Sequence, residues 1–274
     1  MIFFPPAKIN LGLKVLYKRA DGYHELETCM LPVPMYDILE ILPAKEFSFH
    51  QTGLTFEGAN TDNLCIRAYD LLANDHTLPP VYMHLRKIIP MGAGLGGGSS
   101  DAAWVLKGLN SLFDLGLSDN ELENYAAQLG SDCPFFIADV PQMAGGRGEV
   151  LRPAEIDLSG YYLKLVNPGL HVSTAEAYAG VHFSEAHPTL ESLLTQSIKS
   201  WRGNVENDFE RSVFERYPEI EQIKEQLYAE GAVFALMSGS GSTVYGLYEE
   251  KPYLSFTHRI EYVEFVKEFP SIAS

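Results

Sequence analysis

The stretch Met91-Gly-Ala-Gly-Leu-Gly-Gly-Gly-Ser-Ser-Asp-Ala-Ala103 carries five glycines and two serines straight into a segment of helical pattern. Backbone N–H groups unobstructed by side chains, followed by a helix N-terminus, make a cradle for a phosphate. The run holds no basic residue, so an anion there is gripped by amides, the Ser99 and Ser100 hydroxyls and the helix dipole. The alternative is a solvated hinge. Its flanks, His84–Ile89 and Ala102–Leu106, read as packed elements, which a linker would not have.

Two familiar phosphate loops fit less well. GxxxxGK[ST] needs a lysine on the phosphates, and the first lysine after the run is Lys107. Gly92, Gly94 and Gly97 satisfy GxGxxG, a common accident in a glycine-rich run. A dinucleotide site also wants an acidic ribose partner about 20 residues on. Asp114 lies at that distance, but in a turn-like Phe-Asp-Leu-Gly-Leu segment. Serines that cap a helix and touch phosphate suit phosphoryl transfer better than hydride transfer.

Working outward, Met83–Ile89 is the strand that feeds the run and Ser99–Phe113 the helix it opens. Ser118 and Glu121 form a capping box for a helix through Leu129. Gly130–Phe136 reads as an ordered loop and Gln142–Arg152 as a hairpin. Upstream, Ala7–Leu16 alternates as a half-buried strand with Lys8, Asn10, Gly12 and Lys14 on its polar side. A turn at 19–22 leads to extended Tyr23–Leu31, short strands at Tyr36–Leu42 and Phe47–His50, and a helix over Asn63–Ala73. Downstream of a boundary at Pro153–Gly160 come a strand at Tyr161–Val166 and helices at Thr174–Gly180 and Leu190–Ser197. A long helix over Phe209–Glu230 and strands at Ala232–Met237, Val244–Tyr248 and Ser255–Phe265 follow. This alternation predicts an α+β chain of two domains.

With 20 Lys and Arg against 36 Asp and Glu, the formal charge is −16, which disfavours nucleic-acid backbones and anionic membranes as partners. Three cysteines without CxxC spacing predict reduced thiols that serve packing. No apolar run reaches the roughly 18 residues of a membrane span. A cytoplasmic protein is expected.

Four places can carry chemistry. Lys8 has small or polar neighbours and could hold an ionised oxygen, or be an ordinary solvated lysine. Asp132, between Ser131 and Cys133 and ahead of an apolar Pro134–Ile137, could accept a hydroxyl proton, or be a surface turn aspartate. Tyr23 and His24 could stack on and hydrogen-bond a flat heterocycle, or simply pack. Leu236–Val244 repeats the glycine-serine theme after a strand, as a second phosphate-facing loop or a tight hairpin. The eight histidines show no zinc-ligand spacing.

Together PPAKINLGLKVL from Pro5, RADGYHELET from Arg19, PMGAGLGGGSSDAA from Pro90, LGSDCPFF from Leu129 and LMSGSGSTVYG from Leu236 resemble the GHMP small-molecule kinases. DNLCIRA from Asp62 and ENDFE from Glu206 agree more weakly. The resemblance implies a ribosomal-protein-S5-like α/β domain over 1–155 that binds ATP, and a ferredoxin-like α+β domain over 156–274, with a cleft between them. It implies transfer of the ATP γ-phosphoryl, with Mg2+, to a hydroxyl of a cytidine-containing small molecule by a monomer or weak homodimer. Asp132 would be the base or hydroxyl-orienting group and Lys8 its cationic partner. Asn10, Tyr23, His24, Thr174 and Tyr178 would line the acceptor side, with Tyr178 completing a cytosine sandwich. Asn63 would reach the adenine. Pro90, Gly92, Gly94, Leu95, Gly96, Gly97, Gly98, Ser99, Ser100, Gly239 and Ser240 would surround the phosphates, and Ser99 or Ser100 would touch the metal. The other readings are a GHMP kinase for a different alcohol, a non-catalytic nucleotide-binding module and a Rossmann oxidoreductase.

Overall fold

The computed structural model describes residues 1–54, 63–181, 183, 188–255 and 260–266. The chain runs β1 (Ile2–Phe3), β2 (Pro6–Lys18), β3 (His24–Tyr36), β4 (Ile38–Pro43), β5 (Ser48–Gly53), α1 (Leu64–Asp75), β6 (Val81–Lys87), α2 (Gly97–Leu112), α3 (Asp119–Leu129) and α4 (Phe135–Ala138). It continues through β7 (Gln142–Gly145), β8 (Val150–Pro153), β9 (Tyr162–Asn167), α5 (Thr174–Tyr178), α6 (Leu190–Leu194), α7 (Glu210–Arg216), α8 (Pro218–Ala229), β10 (Phe234–Met237), β11 (Val244–Tyr248) and β12 (Ile260–Phe265). Two compact units result. One comprises Met1–Lys8, Pro32–Met91 and Gly96–Asp139; the other comprises Ile9–Leu31, Gly92–Leu95 and Val140–Ser274.

In the first unit, β1, β4, β6 and β5 form a sheet in that order, with only the β5–β6 pair parallel. Along β6 the apolar residues alternate inward as Val81, Met83 and Leu85, and the next inward place belongs to Lys87. Helix α2 buries Ala102, Ala103, Val105, Leu106 and Leu109 and packs on α1, α3, α4 and β4. Truncating a buried leucine such as Leu109 to alanine costs about 2–5 kcal/mol.

The second unit contains the sheet β10-β11-β9-β12, antiparallel throughout, against which α8 packs. Its core joins Ile220, Ile223 and Leu227 of α8 to Val166, Ala235, Met237 and Val244. In a further sheet, β2, β3, β7 and β8 follow one another, and β7 and β8 form the expected hairpin.

Several expectations change. β2 is buried on both faces over Pro6–Leu13, so Lys8 and Asn10, each 3% exposed, do not sit on a solvated polar side. The long helix expected over Phe209–Glu230 divides at Tyr217, because Pro218 has no N–H to continue α7 and takes the first position of α8 instead. The loop expected at Gly130–Phe136 passes into the single helical turn α4. Two-residue β1 is too short to leave an alternating pattern. The strand expected from Ser255 begins at Ile260; residues 256–259 lie outside the described residues, as does Asp62 at the head of DNLCIRA. The three cysteines are free and buried. Among the described residues no helix is long and apolar enough to cross a membrane.

Candidate functional site

Helix α2 starts without a side-chain cap. Gly96 stands at the N-cap in the left-handed region, φ 68°, and Ser100 N–H makes the first bond to its carbonyl at 2.9 Å. The N–H groups of Gly97, Gly98 and Ser99 precede that bond, and the first turn carries no acidic residue to fill them. They remain a donor set for an anion at the positive end of the helix dipole. A side chain at Gly96 is doubly excluded, by its φ and because a Cβ would stand 2.9 Å from Phe136 Cζ and 3.0 Å from Lys8 Cγ. The stem of Lys8 therefore lies against the loop.

Lys8 Nζ lies 3.4 Å from Asp132 Oδ2. The lysine side chain is 4% exposed and the aspartate 34%, so a held cation faces an approachable carboxylate. Asp132 owes its place to the turn before α4, where Cys133 N–H donates to Gly130 O at 3.2 Å and the rings of Phe135 and Phe136 are fully buried. Burial pushes the neighbouring Cys133 thiol up to about 11, although a hydrogen bond with Ser99 works against it. Ser100 Oγ is buried and has no partner among the described residues.

A second buried lysine lies beneath the same helix start. Lys87 Nζ donates to Asp37 Oδ2 and, at 2.7 Å, to Asp101 Oδ2, and would be 3.1 Å from a Cβ on Gly97. Asp37 Oδ1 accepts Ile88 N–H at 2.5 Å and Ile89 N–H at 2.9 Å. Burial opposes the Lys87 charge, yet Asp101 and Asp37 hold its pKa above the ordinary value. Burial raises the Asp101 carboxyl despite the lysine beside it. The glycine run has no cation of its own, but two lysines come up to it from the sheet strands.

In the second unit, Ser238 is a junction. Its hydroxyl accepts Asn10 N–H at 3.1 Å and donates to Gly94 O at 2.7 Å. A Cβ on Gly94 would fall 1.9 Å from Ser238 O, and one on Gly239 would fall 3.1 Å from Asn10 Oδ1. The Asn10 carboxamide donates to Thr28 Oγ1 at 3.0 Å. Asn10, Gly94 and Gly239 are therefore brought together, with Ser240 half-buried beside them.

His24 stacks on Tyr178 with centroids 4.7 Å apart and planes 19° apart, and Phe183 tilts toward His24 at 6.0 Å. Tyr23 is 54% exposed and carries the Arg147 guanidinium 4.7 Å above its ring. His24 and Tyr178 are in mutual contact, so a base between them requires the rings to part.

Matches to known proteins span the chain. The model of the GHMP kinases N terminal domain matches residues 63–142 and that of the GHMP kinases C terminal domain matches 186–255. A 4-diphosphocytidyl-2-C-methyl-D-erythritol kinase of Cytophaga hutchinsonii is 50% identical over 92% of this chain and 94% of its own. The chain belongs to the GHMP kinases. A crystal structure of 4-(cytidine 5'-diphospho)-2C-methyl-D-erythritol kinase superposes with a TM-score of 0.77 at 36% identity, covering 90% of each chain. Methanococcus jannaschii mevalonate kinase shares the fold at 14% identity, TM-score 0.67 and 90% coverage of each chain.

Within this GHMP kinase the remaining expected positions take simpler places. Asn63 caps α1 by accepting Cys65 N–H at 2.9 Å, and its Nδ2 is 3.5 Å from Gln51 Oε1. Thr174 opens α5 behind the Ser173–Glu176 capping box and is exposed. Pro90 and Leu95 are buried. Gly98 has open space around it, and a Cβ on Gly92 would strike His171 Nδ1 at 2.6 Å. Lys87, Ser238 and Phe183 were not singled out from sequence. The signal for Lys87 was available, since a lysine at the inward parity of an alternating strand is a buried charge in need of partners.

Proposed function

We propose that the chain transfers the γ-phosphoryl of ATP to the 2-hydroxyl of 4-diphosphocytidyl-2-C-methyl-D-erythritol, a step of the non-mevalonate route to isoprenoids. The observation that carries this reading is the Lys8–Asp132 pair, with its lysine stem packed on the uncapped start of α2. In the step, Asp132 takes the hydroxyl proton as the new O–P bond forms and the bond to the β-phosphate oxygen breaks, releasing ADP. The Lys8 ammonium offsets the charge that grows on the acceptor oxygen. The N–H groups at Gly97–Ser99 would hold phosphate oxygens; in this reading Gly94, Gly239 and Ser240 keep the donor-side role that the family resemblance implies. Mg2+, when bound, neutralises phosphate charge. Ser99 or Ser100 would supply a hydroxyl to such an ion, which keeps much of its hydration; the Ser100 hydroxyl is buried and has no hydrogen-bond partner among the described residues.

The acceptor follows from Tyr23, His24 and Tyr178, whose aromatic surface suits a cytosine, with Asn10 and Thr174 on the same side. In this reading residues 1–155 form the S5-like ATP-binding domain and 156–274 the ferredoxin-like domain, in a cytoplasmic monomer or weak dimer. A coupled ADP-release assay comparing the cytidine substrate with mevalonate and simple sugars tests it. Turnover confined to the cytidine substrate supports the reading. Turnover only on an acceptor without cytidine overturns it.

A further inference from the structure

The ENDFE segment has no part in the chemistry above, yet it organises the second glycine loop. Asn207, 3% exposed, donates through Nδ2 to Met237 O and to Gly239 O, both at 2.8 Å, while its Oδ1 accepts Phe209 N–H at 3.0 Å. The two carbonyls require the amide nitrogen and the N–H requires the oxygen, so one orientation satisfies the whole side chain. Glu210 Oε1 accepts Met237 N–H at 2.9 Å and is itself held by Lys224. One segment thus fixes the polar backbone groups on both sides of Ser238. Drawing two carbonyls to a single amide curls the chain and leaves the Ser238 hydroxyl to bind Asn10 N–H and Gly94 O.

The same segment is locked to the strand that carries Asn10. Leu13 N–H donates to Glu206 O and Asp208 N–H donates to Leu13 O, each at 2.9 Å, and Val15 N–H donates to Asp208 Oδ2 at 2.6 Å. Strand β2 and the loop after β10 therefore take their register from one piece of chain. We propose that Asn207 is a positioning residue for the transfer: acting through the loop and Ser238, it sets the Gly94 and Gly239 backbone against the strand that bears Asn10. This rests on the kinase reading. Misplacing reacting groups by about an ångström costs about a hundredfold in rate even when binding persists.

The test is a mutant cycle of Asn207→Asp, which keeps size and the acceptor oxygen but loses both donors, with Ser238→Ala, which keeps Asn207 and removes the junction. Each is assayed for kcat, for the binding of ATP and cytidine substrate, and for folded fraction by circular dichroism. Both single variants are expected to stay folded, to bind each ligand within about threefold of the wild type, and to lose about 10- to 100-fold in kcat. The double variant should be no slower than the slower single one, because both act along one path. An undiminished kcat per folded molecule, or fully additive losses, overturns the positioning role while leaving the kinase reading in place. A wild-type chain inert toward the cytidine substrate overturns that reading and the inference resting on it.

Discussion

Lys8 Nζ lies 3.4 Å from Asp132 Oδ2, and the same lysine's stem occupies the space that a side chain at Gly96 would need. One residue thus touches the carboxylate proposed to take the acceptor's proton and the loop proposed to hold the donor's phosphates. Lys8→Met keeps the stem and removes the charge. It should lower kcat by about 10²–10³-fold with the protein still folded, the scale of losing one electrostatic stabiliser. Steady-state kinetics alongside circular dichroism decides, and a variant of normal kcat would remove Lys8 from the chemistry.

Gly94 combines φ +78° with the Ser238 carbonyl where its Cβ would be. Gly94→Ala forces the two loop segments apart and strains a left-handed residue, at a cost of about 1–3 kcal/mol. ATP affinity should fall by about tenfold or more, with a smaller change for the cytidine substrate. Calorimetric titration of each ligand measures this; unchanged ATP affinity would mean that the loop does not meet the donor.

Tyr23 offers an exposed ring with the Arg147 guanidinium already over it. Base–aromatic stacking is worth about 1–3 kcal/mol by alanine substitution, so Tyr23→Ala should weaken the cytidine substrate by about 5- to 150-fold and leave ATP binding alone. If the substrate dissociation constant does not move, Tyr23 lies outside the pocket.

Asp101 yields a pH dependence. Burial raises its folded-state carboxyl above the ordinary 3.8, with the Lys87 ammonium opposing. The folded protein holds this proton more tightly than the unfolded chain. Its stabilising contribution is therefore fully present below about pH 4 and is lost as pH rises through the raised value. Asp101→Asn abolishes the titration, so the stability of the wild type relative to the variant should decline between about pH 4 and about pH 8. Urea midpoints across that range provide the measurement, and a constant difference would contradict it.

The elements with a local cause were legible in the sequence. The Ser118–Glu121 capping box, the β7–β8 hairpin and the helix after the glycine run each follow from neighbouring residues. Pro218 broke an apparently continuous helical pattern, a signal present in the sequence but outweighed by the apolar periodicity around it. The site was legible as residue types but not as partners. Lys8 and Asp132, or Asn207 and Gly239, are joined only by long-range folding, which no local pattern encodes. Even β2, whose alternation reads as half-buried, is buried on both faces because tertiary packing covers its polar side.

The most direct test of the central claim is the single-turnover rate of phosphoryl transfer from ATP to the cytidine substrate by Asp132→Asn, with both ligands saturating. Asparagine keeps the shape and loses the proton acceptor, so both ligands should still bind while the rate falls by about 10²–10⁴-fold. A rate equal to that of the wild type would contradict the role assigned to Asp132.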